Sequence, residues 1–178
     1  MVAAVPEPTR GFALIPTGTR ARDVPAAIEI LSGGHPVPSA DGFAASRRIL
    51  SAARSLSEGD SLLYLVSGGT SALFEVPRAG LADADVARVY ELLLGSGAPI
   101  EQMNAVRSAL SEVKRGGLAR AAYPARVRTL AVSDVIGDDP AVIGSGPTVN
   151  RPVDPAEAVT VLERCGLWSR VPEPMTAG

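Results

Sequence analysis

A chain of 178 residues with 46% hydrophobic and 20% charged side chains is long and apolar enough to bury one sizeable core, which excludes a disordered segment. The formal net charge of -2 gives no basic field for nucleic acid and no acidic solvating tail, and 4% aromatic residues leave few platforms for stacking bases or sugars. Cys165 is the one cysteine, so no intrachain disulfide forms; no apolar run approaches the roughly 20 residues that span a bilayer, and the N-terminal MVAAVPEPTRGF lacks a signal-like core, so a cytoplasmic protein with no nucleic-acid or membrane partner is expected.

In chain order, GFALIP at 11–16 reads as a short strand and 27–31 as a second one, leading into the Gly/Pro-rich loop Ser32-Gly33-Gly34-His35-Pro36-Val37-Pro38. Ser39 is placed to N-cap a helix over 42–56, whose Phe43, Ile49, Ala53 and Leu56 fall roughly on one face. The uninterrupted apolar run at 62–66 is the pattern of a parallel strand covered on both faces. It breaks into Ser67-Gly68-Gly69-Thr70-Ser71.

Helical spacing returns at 83–95 through Val86, Val89, Tyr90 and Leu93, and again at 100–113 through Met103, Val106 and Leu110, with Pro99 near the first turn. Gly116-Gly117 interrupts, a short helix spans 118–122, and 127–132 is another apolar strand that ends at Ser133-Asp134-Val135-Ile136-Gly137-Asp138-Asp139-Pro140. A last helix covers 155–164, with Cys165 in a structural place at its end. The alternation predicts an α/β fold, a Rossmann-like three-layer sandwich with a mainly parallel sheet, in which ligands bind beyond the carboxyl ends of the strands.

Two loops on that edge have chemical potential. Residues 67–71 follow a strand, precede a helical turn and carry little side-chain bulk; they either present N–H donors and a helix dipole to a phosphate or carboxylate, or simply form a tight turn. Neither Gly-x-x-x-x-Gly-Lys-[Ser/Thr], Gly-x-Gly-x-x-Gly nor Gly-x-Ser-x-Gly occurs in the chain. Asp134, Asp138 and Asp139 offer hard oxygen ligands suited to Mg²⁺, or serve as turn residues; Ser145-Gly146-Pro147-Thr148 is a further backbone-exposing turn. Two anion-friendly loops and one acidic loop together fit phosphoryl transfer better than any of them alone.

Asn104 and Arg107, three apart, share a helix face that is either solvated or turned to a substrate. Lys114 is the only lysine among 17 basic residues, which raises the question of whether its position needs a compact ammonium. His35, the only histidine, is either a hydrogen-bonding loop residue or an aid to an attacking hydroxyl; with no second His or Cys near it in sequence it is a poor metal ligand.

The stretches GGHPVPSADG, LVSGGTSAL, GAPIEQMNAVRSALSEVKRGGLA and SDVIGDDPAVIGSGPTV, in that order between about residues 30 and 167, resemble the class II glycerate kinases, the ATP-dependent glycerate 2-kinases whose members also carry an older hydroxypyruvate reductase label. The resemblance implies phosphorylation of D-glycerate at its 2-hydroxyl with ATP and Mg²⁺, in a cleft between an α/β N-terminal domain and a separate C-terminal domain. Carried over by motif, Ser67, Gly68, Gly69, Thr70, Ser71, Asn104, Ser145 and Gly146 would bind substrate or phosphate. Lys114, Arg107 and His35 would be catalytic, and Asp134, Asp138 and Asp139 would hold the metal.

Some positions depart from the family pattern. Thr70 stands where the family has glycine, adding a Cβ and a hydroxyl that would narrow the anion site if that position needs positive φ; Ser108 and Ala109 replace a basic residue and a histidine; and Lys114-Arg115-Gly116-Gly117 displaces the usual Lys-Gly-Gly-Arg order. The resemblance further implies a single partial α/β domain over 1–178, truncated relative to the family, without its upstream lysine-bearing turn or its C-terminal domain. The alternative to a kinase is then a catalytically incompetent binding or assembly lobe that self-associates or pairs with a partner chain supplying the missing elements. An oxidoreductase ranks third, for want of a dinucleotide fingerprint.

Overall fold

The computed structural model of the chain describes residues 10–133 and 135–172. Twelve short elements alternate much as the pattern predicts: strands β1 (Gly11–Pro16), β2 (Ile28–Gly33), β3 (Ser61–Val66) and β4 (Arg126–Ala131), and helices α1 (Ala40–Arg54), α2 (Thr70–Leu73), α3 (Asp83–Gly95), α4 (Ile100–Leu110), α5 (Gly117–Ala122) and α6 (Pro155–Arg164), with 3₁₀ turns at Ile143–Ser145 and Trp168–Arg170. Every strand pairing is parallel, as expected, but the described strands form two separate pairs instead of one continuous sheet. β1 runs beside β2 in the register Gly11↔Ile28 to Pro16↔Gly33, and β3 beside β4 from Ser61↔Arg126 to Val66↔Ala131.

Helices join the two pairs. α1 packs on β1 and β2 and also against α5, which in turn lies on β4. Leu50, Ala53, Phe74, Val76, Val113 and Leu118 close one core over Leu62, Tyr64 and Val127. A second core is mainly helical, where Val89 and Leu93 of α3 and Val106 of α4 meet Ala158, Val161 and Leu162 of α6. Phe43, Ala72, Val86 and Tyr90 form a third, between α1, α2 and α3.

Local signals set several boundaries. Ser39 accepts the Gly42 amide at 3.2 Å and caps α1, and Asp154 accepts the Ala156 amide at 2.9 Å to cap α6, with Pro155 supplying a preset φ in its first turn. Other boundaries are tertiary. Strand β2 continues through Ser32 and Gly33 into a stretch expected to be irregular, because β1 is there to pair with it. The helix expected over 100–113 stops at Leu110, and Pro99 is its N-cap residue. Ser111 turns extended and bridges Pro77, the Glu112 amide donates to Val76 at 2.8 Å, and the Arg78 amide donates to Leu110 at 2.9 Å. Lys114 therefore lies beyond the helix and not in its last turn.

The strand expected to be covered on both faces is less buried than its sequence implies: residues 62–65 are half-buried and Val66 alone is fully buried. The exception is at atomic level, where the Tyr64 hydroxyl is sealed from solvent without a hydrogen-bond partner. Burial holds this phenol well above its ordinary value of about 10, so as pH rises past that value the unfolded chain loses a proton that the folded chain keeps, and stability falls. Tyr64→Phe is expected to stabilise the chain by about 1 kcal/mol at neutral pH, because it removes an unsatisfied hydroxyl and keeps the ring. The gain should widen above about pH 10, as measured by urea unfolding at several pH values.

Candidate functional site

The carboxyl ends of β2 and β3 bring the predicted loops together. Gly69 has φ 83°, and a Cβ on it would stand 3.2 Å from both Cδ2 and Nε2 of His35, so the imidazole from the β2 loop lies directly on the β3 loop. That contact explains why a glycine is needed at 69, and it locates the left-handed residue one position before Thr70. Thr70 starts α2 in helical conformation, donates its hydroxyl to the Ser67 carbonyl at 2.7 Å, and packs its methyl against Gly144. Position 70 therefore does not need positive φ, the condition on which the narrowing of the anion site was expected. The helix dipole expected behind this loop is slight, since α2 is a single turn of four residues.

Three motifs far apart in sequence meet through side-chain hydroxyls. Ser71 Oγ lies 2.9 Å from Ser145 Oγ, and Ser145 Oγ donates to Asn104 Oδ1 at 3.2 Å, which leaves Ser71 as the donor to Ser145. Ser145 is buried to 2% exposure and adopts φ 63° between Gly144 and Gly146, both also left-handed. The carbonyls of Ser145 and Gly146 are taken by the amides of Arg115 and Gly116 at 3.0 and 2.8 Å. Gly146 thus anchors the turn before α5, and Gly117 permits that turn, because a Cβ on it would fall 1.9 Å from the Glu112 carbonyl oxygen.

Beneath Ser71 lies a buried ionic cluster. Lys114 Nζ donates to Glu75 Oε2 at 2.5 Å and to the Phe74 carbonyl at 3.4 Å, and both charged side chains have 0% exposure. Tyr90, fully buried, places its hydroxyl 2.6 Å from the same Glu75 oxygen and 3.1 Å from the Ser71 carbonyl. Arg107 sets its guanidinium 4.6 Å from the Tyr90 ring centroid, and its Nε has no hydrogen-bond partner. Ser46 of α1 holds the backbone below by donating to the Leu73 carbonyl and accepting the Glu75 amide.

Burial pushes the Lys114 ammonium below its ordinary value, Glu75 opposes that shift, and the Arg107 charge adds to it. Burial, with Glu75 beside it, pushes the Tyr90 phenol well up. Sequence reasoning passed over Glu75 and Tyr90. The signal for Glu75 was a lone carboxylate inside the apolar run Ala72-Leu73-Phe74-Glu75-Val76, which needs a buried partner, and Lys114 is the single lysine. Tyr90 appeared only as a core residue of α3. Ser108 and Ala109, the altered positions of α4, are respectively buried and packed on the helical core.

The acidic loop stands apart from this cluster. Asp134 lies outside the described residues. Asp138 is exposed at φ 51°, while Asp139 accepts the Ala141 amide at 2.9 Å and pairs with Arg151 at 3.0 Å across a solvent-open contact. Among the described residues no three His, Cys, Asp or Glu side chains gather as a metal site. Both Asp139 carboxylate oxygens are thus engaged, one by the Ala141 amide and one by Arg151, and Asp138 is, among the described residues, the carboxylate of the loop that faces solvent. Also among the described residues, no helix is long and apolar enough to cross a membrane, and Cys165, free and half-buried, is the C-cap residue of α6.

Parallel strands alternating with helices, with the β2 and β3 loops in contact at their carboxyl ends, define an α/β protein. The family described as "Domain of unknown function (DUF4147)" matches residues 1–177, and the chain belongs to it. It is 42% identical over 139 residues to the D-glycerate 2-kinase of Thermotoga maritima, covering 78% of this chain and 33% of that protein. An Agrobacterium vitis relative, 46% identical over 140 residues and matched over 79% of this chain and 32% of its own length, bears a hydroxypyruvate reductase name. The crystal structure of the Thermotoga maritima glycerate kinase superposes with a TM-score of 0.82 at 37% identity, over 93% of this chain and 39% of that one. The chain spans about a third of the length of the curated relatives it matches.

Cutting the buried pair on one side leaves an uncompensated charge in the core. Lys114→Met is expected to cost about 3–5 kcal/mol, and the Glu75→Gln/Lys114→Met double variant distinctly less than the two single changes added together. Urea unfolding of the four proteins in this cycle measures the coupling.

Proposed function

We propose that this chain forms the α/β part of an ATP-dependent glycerate 2-kinase, which transfers the terminal phosphoryl group of ATP to the 2-hydroxyl of D-glycerate. The observation that carries the reading is the hydroxyl chain Ser71–Ser145–Asn104, which ties three otherwise distant motifs into one polar edge beside His35 and the Gly69 backbone. The kinase names of the relatives support it. The reductase name does not find a dinucleotide fingerprint in this sequence.

In the reaction, the bond between the γ-phosphorus and its bridging oxygen breaks with its electron pair leaving on ADP, a bond to the glycerate 2-oxygen forms, and the 2-hydroxyl proton passes to a base, for which His35 is the candidate on this chain. The chain's part is positioning and charge neutralisation. Backbone N–H groups of residues 67–71 and the Ser71 hydroxyl orient an anionic group, either phosphate or the glycerate carboxylate. His35, on the rim of the loop, is within reach of a hydroxyl presented there. Asp138 and Asp139 would hold Mg²⁺, which when bound offsets phosphate charge. The reading carries with it a cytoplasmic setting, where ATP is available.

A second reading, a ligand-binding lobe without its own turnover, is favoured by Lys114. A lysine with no exposure, committed to Glu75, has no free ammonium to offer a reacting phosphoryl group. A coupled ADP-release assay with D-glycerate, ATP and Mg²⁺, run beside calorimetric titration of D-glycerate, separates the two. Turnover that falls about 10- to 100-fold in Ser71→Ala supports the kinase. Asp138→Asn is expected to raise the Mg²⁺ concentration needed for half-maximal rate. Binding without turnover supports the lobe, and neither binding nor turnover discards both.

A further inference from the structure

Tyr90 has one phenolic proton and two acceptors, Glu75 Oε2 at 2.6 Å and the Ser71 carbonyl at 3.1 Å. The carboxylate that competes for this proton is itself pinned, its Oε2 by Lys114 and its backbone amide by Ser46. Ser71 in turn faces two ways: its carbonyl toward Tyr90, its hydroxyl toward Ser145. One buried hydroxyl therefore joins the ion pair to the first member of the polar edge.

We propose that Tyr90 is a positioning residue whose hydroxyl, shared between Glu75 and the Ser71 carbonyl, sets the Ser71 peptide and so aims the 67–71 loop at its ligand. Neither Tyr90 nor Glu75 touches substrate in this arrangement. The inference rests on the glycerate kinase reading only for the identity of what the loop binds. The ring fills core space between α1, α2 and α3 and supports the Arg107 guanidinium, and phenylalanine would preserve both roles. The hydroxyl alone addresses Ser71, so it can be removed without emptying the core.

The test compares Tyr90→Phe with Tyr64→Phe, which removes a buried phenolic hydroxyl that has no partner. Amide hydrogen exchange is read at 67–73 and across α3, and calorimetry measures binding of D-glycerate and of inorganic phosphate. In Tyr90→Phe, exchange at 67–73 is expected to quicken about tenfold with α3 unchanged, and affinity for D-glycerate to fall by a similar factor, the scale of one lost buried hydrogen bond. Tyr64→Phe should move neither. Equal acceleration in α3 would mark Tyr90 as merely structural and overturn the proposal, as would unchanged exchange at 67–73.

A wild-type chain that binds neither probe but shows the local exchange effect retains the positioning role and removes the glycerate reading. The Glu75→Gln/Lys114→Met double variant leaves the Tyr90 hydroxyl on Ser71, and exchange at 67–73 should stay within about twofold of wild type. Acceleration there equal to that of Tyr90→Phe would assign the loop to the ion pair and not to the hydroxyl, against the proposal.

Discussion

Lys114 and Glu75 meet out of water, 39 residues apart in sequence, and the segments around them close on that contact. Removing both charges from solvent costs several kcal/mol each, and their attraction offsets the cost only with close geometry and further hydrogen bonds. Those bonds are present: Phe74 accepts from Lys114, and Tyr90 shares its one hydroxyl proton between Glu75 and the Ser71 carbonyl. The pair ties the strand-like stretch after α2 to the turn before α5. That turn also carries the amides that grip Ser145 and Gly146, so the position of the Ser145 hydroxyl depends on the same contact.

The choice of lysine in an otherwise arginine-based chain has a physical reading here. A compact ammonium at the end of a thin stem can enter a sealed pocket and meet one carboxylate oxygen, whereas a planar fork needs room and more acceptors. Arg107 shows the contrast: it lies against the Tyr90 ring with its Nε unpartnered, where the delocalised cation is held by an aromatic face instead of by a carboxylate. Two basic side chains, Lys114 and Arg107, thus gather near one carboxylate, Glu75, and both lie against the Tyr90 ring.

Much of the fold was legible because its causes are local. Ser39 and Asp154 cap the helices they precede, and α3 and α6 keep the bounds their spacing implies. Errors fall where a distant segment competes. The pattern of α4 runs on to Val113, yet Ser111 and Glu112 leave the helix because Pro77 and Val76 provide strand-like partners. The run at 62–66 is apolar enough for full burial, but its neighbours cover it only in part.

Of the candidate site, the sequence by itself determined the motifs, their order, the alternation of strand and helix, and the need for glycine in the loops. It singled out Lys114 as unusual without revealing that its partner is Glu75. Only the tertiary structure decided that His35 rests on Gly69, that Ser71, Ser145 and Asn104 join, and that Tyr90 bridges the ion pair to the loop. The reason is range. Caps and periodicity act within a few residues and can be read along the chain. A hydrogen bond between Ser71 and Ser145 depends on where two strands and three helices have already packed, and no local pattern carries that information.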